Sequence, residues 1–204
     1  MRGGGVLVVT MRSGVKDVYN TVVNQRLPGL LAELCGVEVE EYDSLAPGMQ
    51  NGIEFTIPEL AVSHPPTVKV WCDVLKPTTA AIIGRYTSDY YMGRPAITLN
   101  QYVQGKVLYV GTMGDDALYE LLTRWLLNLA GVRRTWSVPP GVEAAERWQG
   151  DRRLLFVLNH TEHEQEITLG EAYVSLVDSK ESLGGTIPIA PHEVLVLMEK
   201  EHVE

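Results

Sequence analysis

The segment near residue 140 most limits the folds that this chain can adopt, because it excludes a helix. Residues 133–141 read Arg-Arg-Thr-Trp-Ser-Val-Pro-Pro-Gly, and consecutive prolines followed by glycine favour an extended turn. The two flanking parts also differ in charge, because residues 1–135 carry 13 acidic and 12 basic side chains whereas residues 136–204 carry 13 and 5. We therefore predict two domains, residues 1–135 and 136–204, joined by a linker.

The first part contains the patterns of an α/β domain. The aliphatic run 5–10, after a glycine triplet, is typical of a strand buried on both faces. Two further runs, 96–103 and 106–110, flank Gln104-Gly105 and predict a hairpin in which Gly105 takes a positive φ. The strongest helix pattern begins after Gly114, with Asp115 or Asp116 as its cap, and places leucines on one face before Gly131.

The second part shows short apolar runs separated by turn-forming residues and no helical period. These runs predict a small antiparallel β-sandwich with strands at 154–158, 167–169, 173–177, 187–189 and 194–198.

Composition excludes several functional classes. The net charge of -9, without basic clusters, disfavours nucleic acid as a partner. No apolar run approaches the length of a membrane span, and residues 1–5 do not form a signal peptide. The chain has only two cysteines, which predicts neither a disulfide scaffold nor a structural zinc site. We therefore expect a cytoplasmic protein without a membrane partner.

No motif in the sequence predicts a catalytic, cofactor or metal site. A nucleophile elbow is missing, and Cys35 and Cys72 are interpreted as core thiols. The residues around His160 and His163 are expected to form a turn rather than a metal site. No glycine pattern follows the first strand in a way that would cradle phosphate, so we predict no cofactor.

The segment after the first strand, residues 12–20, is rich in hydrogen-bonding groups. Three interpretations remain open: a loop held by its own Arg–Asp contact, a contact with another subunit or domain, and a ligand site. We take as interface candidates the first strand and this loop, represented by Val6, Val8, Arg12, Lys16, Asp17 and Asn20.

Several segments resemble the trimerisation domain of family 42 glycoside hydrolases, the bacterial β-galactosidases. The resemblance is carried by residues 4–17, 28–31, 34–37, 71–75, 90–96, 105–112 and 156–161, which occur in the family's order. It implies a flavodoxin-like or glutamine-amidotransferase-like α/β domain, truncated at its start, followed by a small β domain. It also implies that the catalytic glutamates lie on a (β/α)8 barrel outside these residues.

The expected function is thus a non-catalytic, subunit-associating portion of a β-galactosidase. Its partner is a second copy of the chain, with a trimer favoured and a dimer through the exposed first strand as the alternative, or a separately encoded barrel. A rival interpretation is a carbohydrate-binding module, with Trp136 and Trp148 as platforms for sugar rings. An amidotransferase-like enzyme is a third interpretation, disfavoured by the missing elbow.

Overall fold

The structure is a computed structural model that describes residues 3–132, 135–177 and 182–200. The chain divides into two compact units, Met1–Arg133 and Arg134–Glu204. The first two residues of the predicted linker, Arg133 and Arg134, lie outside the described residues.

Strands dominate both units. Those of the first unit are β1 (Val6–Thr10), β2 (Val37–Ser44), β3 (Asn51–Phe55), β4 (Thr67–Pro77), β5 (Ala81–Tyr86), β6 (Pro95–Tyr102), β7 (Gly105–Val110) and β8 (Thr112–Gly114). Those of the second unit are β9 (Val142–Gln149), β10 (Arg152–Asn159), β11 (Gln165–Ser175), β12 (Leu183–Ile189) and β13 (Val194–Glu199). The α-helices in the described residues are α1 (Ala32–Cys35) and α2 (Asp116–Leu129), accompanied by single 3-10 turns at Gly29–Leu31 and Pro58–Leu60.

The prediction of a flavodoxin-like or amidotransferase-like α/β domain is wrong, because 49% of the structure is strand and only 12% is helix. The first unit holds one eight-stranded sheet in the order β1-β7-β6-β5-β3-β4-β2, with β8 beside β4. Among its described pairs, β1 and β7 run parallel and the others antiparallel. A doubly wound fold needs repeated helical crossovers between parallel strands, whereas most strands here are joined by short connections.

Both faces of the first sheet are covered by apolar side chains. On one face, Leu118 and Leu122 of α2 pack into a core with Ile53, Ile97 and Leu108. On the other face, Val9 packs with residues of α1, β2 and β7, including Cys35 and Tyr109. The predicted helix and hairpin are confirmed, although the hairpin takes its positive φ at Val103 rather than at Gly105.

The second unit is a single five-stranded antiparallel sheet, in the order β12-β11-β13-β10-β9, rather than the predicted sandwich of two sheets. The buried side chains on one of its faces form one core, so the sheet must curve over itself. A register shift between Leu169 and Tyr173 interrupts the β11–β12 ladder, and β13 pairs with β11 from Tyr173 onward. β11 pairs with β12 over most of its length and with β13 at its end, and these two pairings join all five strands into one sheet.

Within the described residues, no helix is both long and apolar enough to cross a lipid bilayer.

Candidate functional site

β1 occupies an edge of the first sheet. Within residues 3–132 it pairs only with β7, in a parallel register that places Val8 opposite Leu108. Val9 is buried, whereas Leu7 is 37% exposed and Val8 is 45% exposed. Of the predicted interface residues on this strand, Val8 is therefore accessible and Val6 is half-buried. An aliphatic edge with open hydrogen-bonding groups is a surface on which another strand can pair.

Residues 15–23, here called the arm, form a small hairpin beyond β1. Backbone bonds from Asp17 N–H to the Thr21 carbonyl at 2.9 Å and from Val23 N–H to the Val15 carbonyl at 3.0 Å close it. The Asp17 carboxylate accepts from the backbone N–H groups of Tyr19 and Thr21, both at 2.9 Å. These bonds give the arm a built turn rather than an open loop.

The polar interface candidates on the arm, Lys16, Asp17 and Asn20, form hydrogen bonds within that turn. Lys16 donates from Nζ to the Asn20 side-chain oxygen at 2.8 Å, and Asn20 adopts the left-handed conformation at φ 63°. The apolar residues between them are almost fully accessible, with Val18 91% and Tyr19 85% exposed. Sequence reasoning missed these two residues, although an Asp and an Asn three positions apart indicate a turn whose tip lies between them.

Arg12 is held against β4. Its guanidinium carbon lies 4.6 Å from the centroid of the Trp71 ring, and Trp71 stacks on Tyr42 with ring centroids 4.9 Å apart. An ion pair between Arg12 and Asp17 is not among those of the described residues. Arg12 contacts Trp71 instead, and Asp17 accepts from the backbone of the arm. Arg12 therefore fixes the loop to the sheet through a cation–π contact.

Asp73 lies beneath this stack and is only 2% exposed. Its carboxylate accepts from Trp71 Nε1 at 2.7 Å and from the Tyr109 hydroxyl at 2.9 Å. Burial raises the pKa of the Asp73 carboxyl, while these two hydrogen bonds and the nearby charge of Arg12 act in the opposite direction. The buried carboxylate thus connects β4, β7 and, through Trp71, the loop after β1.

Cys35 and Cys72 lie in the apolar cores of the first unit, and His160 lies in a turn of the second. Cys35 and Cys72 are fully buried, and burial raises the pKa of the Cys35 thiol to about 11, away from the range of a reactive thiolate. His160 lies 3.2 Å from a Glu143 carboxylate oxygen, in the turn that follows β10. In the part of the chain that the structure describes, no group of three or more His, Cys, Asp or Glu side chains could hold a metal ion.

A second cluster lies at one end of the core of the second unit, around Arg153. Its guanidinium carbon is 5.6 Å from the Trp136 ring, 5.8 Å from the Trp148 ring and 6.0 Å from the Tyr173 ring. The Arg153 Nη2 donates to the Tyr173 hydroxyl at 2.7 Å, and Glu146 lies 3.5 Å from Nε. The rings of the two tryptophans proposed as sugar platforms therefore both contact the guanidinium of Arg153.

The two tryptophans differ in burial and contacts. Trp136 is half-buried against the core, and its Nε1 donates to Glu146 at 2.6 Å. Trp148 is 60% exposed and is the cross-strand neighbour of Arg153. A cleft of about 460 Å³ lies beside Trp136, Arg153 and Tyr173, and Trp148 does not line it.

Comparison with known proteins finds two family matches in chain order. Residues 1–133 match the family described as "Beta-galactosidase trimerisation domain", and residues 141–199 match the one described as "Beta-galactosidase C-terminal domain". Among curated proteins, Beta-galactosidase BgaA of Clostridium cellulovorans is 31% identical over 201 residues, covering 98% of this chain and 29% of that protein. Beta-galactosidase BgaP of Planococcus sp. (strain L4) is 29% identical over 197 residues, covering 97% of this chain and 29% of its own length.

Solved structures show the same relation. The β-galactosidase from Bacillus circulans sp. alkalophilus superimposes with a TM-score of 0.89 at 30% identity, over 98% of this chain and 30% of that chain. The β-galactosidase from the haloarchaeon Halorubrum lacusprofundi gives a TM-score of 0.76 at 28% identity, over 99% and 28%. This chain thus spans about 29% of the length of the curated relatives it matches.

Proposed function

Since the chain belongs to the family of beta-galactosidase trimerisation domains, followed by a C-terminal domain of the same enzymes, we propose that it holds subunits together. The role is non-catalytic and assigns no reacting residue to this chain. The activity of the whole enzyme, hydrolysis of β-galactosides, is proposed to belong to a catalytic barrel that these residues do not include. A cytoplasmic location is also proposed, supported by two buried free cysteines.

The observation that carries this proposal is the tip of the arm. Val18 and Tyr19 are almost fully exposed on a turn that is closed by backbone bonds and by the Asp17 carboxylate. Ordering a loop costs free energy when a partner binds, and a loop that is already built avoids much of that cost. Two adjacent apolar side chains held on such a support are available to pack against another protein.

The geometry distinguishes two modes of association between copies of this chain. A closed trimer uses heterologous contacts, in which the arm tip of one copy meets a different surface of the next. A twofold dimer instead pairs identical surfaces, and the open edge of β1, with Val8 45% exposed, provides one. The arm favours the trimer, and the β1 edge supports the dimer.

The test is sedimentation velocity on the purified chain at roughly 10–100 µM, a range in which weak and moderate association is visible. We expect a species of three times the 22.6 kDa chain mass. Changing Val18 and Tyr19 together to serine should shift the chain towards monomer while its far-ultraviolet circular dichroism stays unchanged. The matched control changes Tyr90 and Met92 to serine, because these residues are 66% and 67% exposed in another loop.

The outcomes separate the two modes. If Val8→Lys disrupts the assembly while the arm variant does not, association occurs through the β1 edge and the arm has no part in it. Val194→Lys is the control for that change, because Val194 is 46% exposed on a strand of the second unit. A wild-type chain that sediments as a monomer throughout this concentration range would refute self-association.

A further inference from the structure

The cleft beside Trp136 has a volume of about 460 Å³ and is open to solvent. Clefts of similar volume lie elsewhere on the described surface, so this one is distinguished by its side chains and not by its size. It lies at the end of the core of the curved sheet in the second unit, where Arg153 follows the inward-facing alternation of Leu155 and Val157. Because Arg153 lies within β10, the backbone of that strand fixes where its side chain enters the cleft.

One side of the cleft is aromatic and held in place. The Trp136 and Tyr173 rings meet edge to face, with centroids 6.2 Å apart. The indole of Trp136 is fixed by its bond to Glu146, and the Tyr173 hydroxyl is fixed by Arg153. Rings that are already oriented offer a stacking surface without a further ordering cost.

The charges of the cleft do not favour an anion. Arg153 is the guanidinium that lines it, and the carboxylates of Glu146 and Glu199 lie 3.5 Å and 3.7 Å from its nitrogens. A further carboxylate, Glu171, also lines the cleft. The charge of Arg153 is therefore neutralised, and the cleft contains both a donor, Arg153, and an acceptor, Glu171, beside an aromatic surface.

We infer that this cleft binds a neutral saccharide, with the apolar C–H face of one sugar ring against Trp136 and sugar hydroxyls bonded to Arg153 and Glu171. A sugar combines an apolar face with many hydroxyl groups, which is the chemistry that these walls match. Trp148 is not part of the site, because it lies outside the cleft.

The test is titration of the full chain with lactose, followed by the indole N–H resonance of Trp136 in the nuclear magnetic resonance spectrum. We expect a saturable shift with a dissociation constant in the range of roughly 1–10 mM, which corresponds to a modest binding free energy. Sodium sulfate at equal concentration should not shift the resonance, because Arg153 is already neutralised. A comparable shift with sulfate would overturn the assignment to a saccharide.

Gly170→Phe is the decisive variant. Gly170 lines the cleft, and a Cβ added there meets nothing within 4 Å, so the new ring obstructs the cleft without straining the fold. We expect lactose binding to weaken at least about tenfold, a loss of roughly 1.4 kcal/mol. Gly3→Phe is the matched control, because a Cβ there also meets nothing within 4 Å and Gly3 does not line the cleft.

Two results would overturn the inference. One is the absence of any saturable shift at up to about 100 mM lactose, a concentration that detects even very weak sites. The other is unchanged affinity in Gly170→Phe. Trp148→Ala should bind lactose as the wild type does, and a large loss there would move the site to the exposed tryptophan.

Discussion

At the scale of single residues, the contacts of Arg12 and Asp73 explain the loop after β1. Arg12 stacks on Trp71, whose indole donates to the buried Asp73 carboxylate. The sequence shows a polar segment there but cannot identify these partners, because Trp71 and Asp73 lie about sixty residues further along the chain. The polar candidates Lys16, Asp17 and Asn20 were predicted as contacts, and the structure shows them bonded within the arm.

Val103 offers a test at the same scale. It is a β-branched residue in the left-handed region, at φ 54°, in the tight turn between β6 and β7, and it is 62% exposed. Val103→Gly should raise the free energy of unfolding by about 1 kcal/mol, since glycine takes this conformation without the steric cost. Urea denaturation measures the change. Val194→Gly is the comparison and should destabilise the protein, because Val194 lies in a strand.

At the scale of elements, α2 shows how the structure decides between two candidate cap residues. The sequence allows either Asp115 or Asp116 as the cap of this helix. In the structure Asp115 is the cap, and its Oδ1 accepts from the Leu118 N–H at 3.0 Å. Its other oxygen accepts from Thr67 N–H at 3.0 Å, which joins the helix to β4. Burial acts to raise the pKa of Asp115, but these backbone bonds outweigh it and leave the pKa below its ordinary value.

Replacement of the cap tests this assignment. Asp115→Ala should lower the free energy of unfolding by about 1–2 kcal/mol at neutral pH, whereas Asp116→Ala should cost only a few tenths of a kcal/mol. Because the pKa of Asp115 is lowered by folding, its stabilisation is present above the ordinary carboxyl pKa and is lost as the pH falls through the lowered value. The difference between the variants should therefore shrink in acid. Equal losses for both at neutral pH would contradict the cap.

At the scale of the whole molecule, the division into two units places Trp136 with the second unit. Trp136 and Val138 pack against its core, whereas the family match begins at residue 141. The second compact unit begins at Arg134 and the family match begins at residue 141, so the boundary between residues 135 and 136 stays a prediction. Whether each unit folds alone stays a prediction.

A variant at this position measures what the segment contributes. Trp136→Ala should lower the free energy of unfolding of the second unit by about 2–3 kcal/mol, less than for a fully buried tryptophan. Trp148→Ala should cost under about 1 kcal/mol, since that ring is 60% exposed. Thermal denaturation by calorimetry compares the two variants. A smaller loss for Trp136→Ala than for Trp148→Ala would show that the segment does not belong to the folded unit.

The sequence by itself determined many of the local elements and the family. The strand β1, the period of α2 and the strands β10, β12 and β13 follow from residues that are close in the sequence. By contrast, β9 is not among the predicted strands, β11 joins two of them, and β1 is not buried on both faces. The family likewise follows from the order of short segments along the chain.

Only the tertiary structure decided which strands are neighbours. β1 lies beside β7, about a hundred residues away, and the first sheet is mostly antiparallel although its segments were interpreted as an α/β fold. Strand order depends on the free energy of burying faces contributed by distant segments, and the periodicity of a single segment carries no information about its partner. The same reason explains why the Arg153 cluster could not be seen before the strands were paired, since it is built from Trp136, which precedes β9, and from β9, β10 and β11.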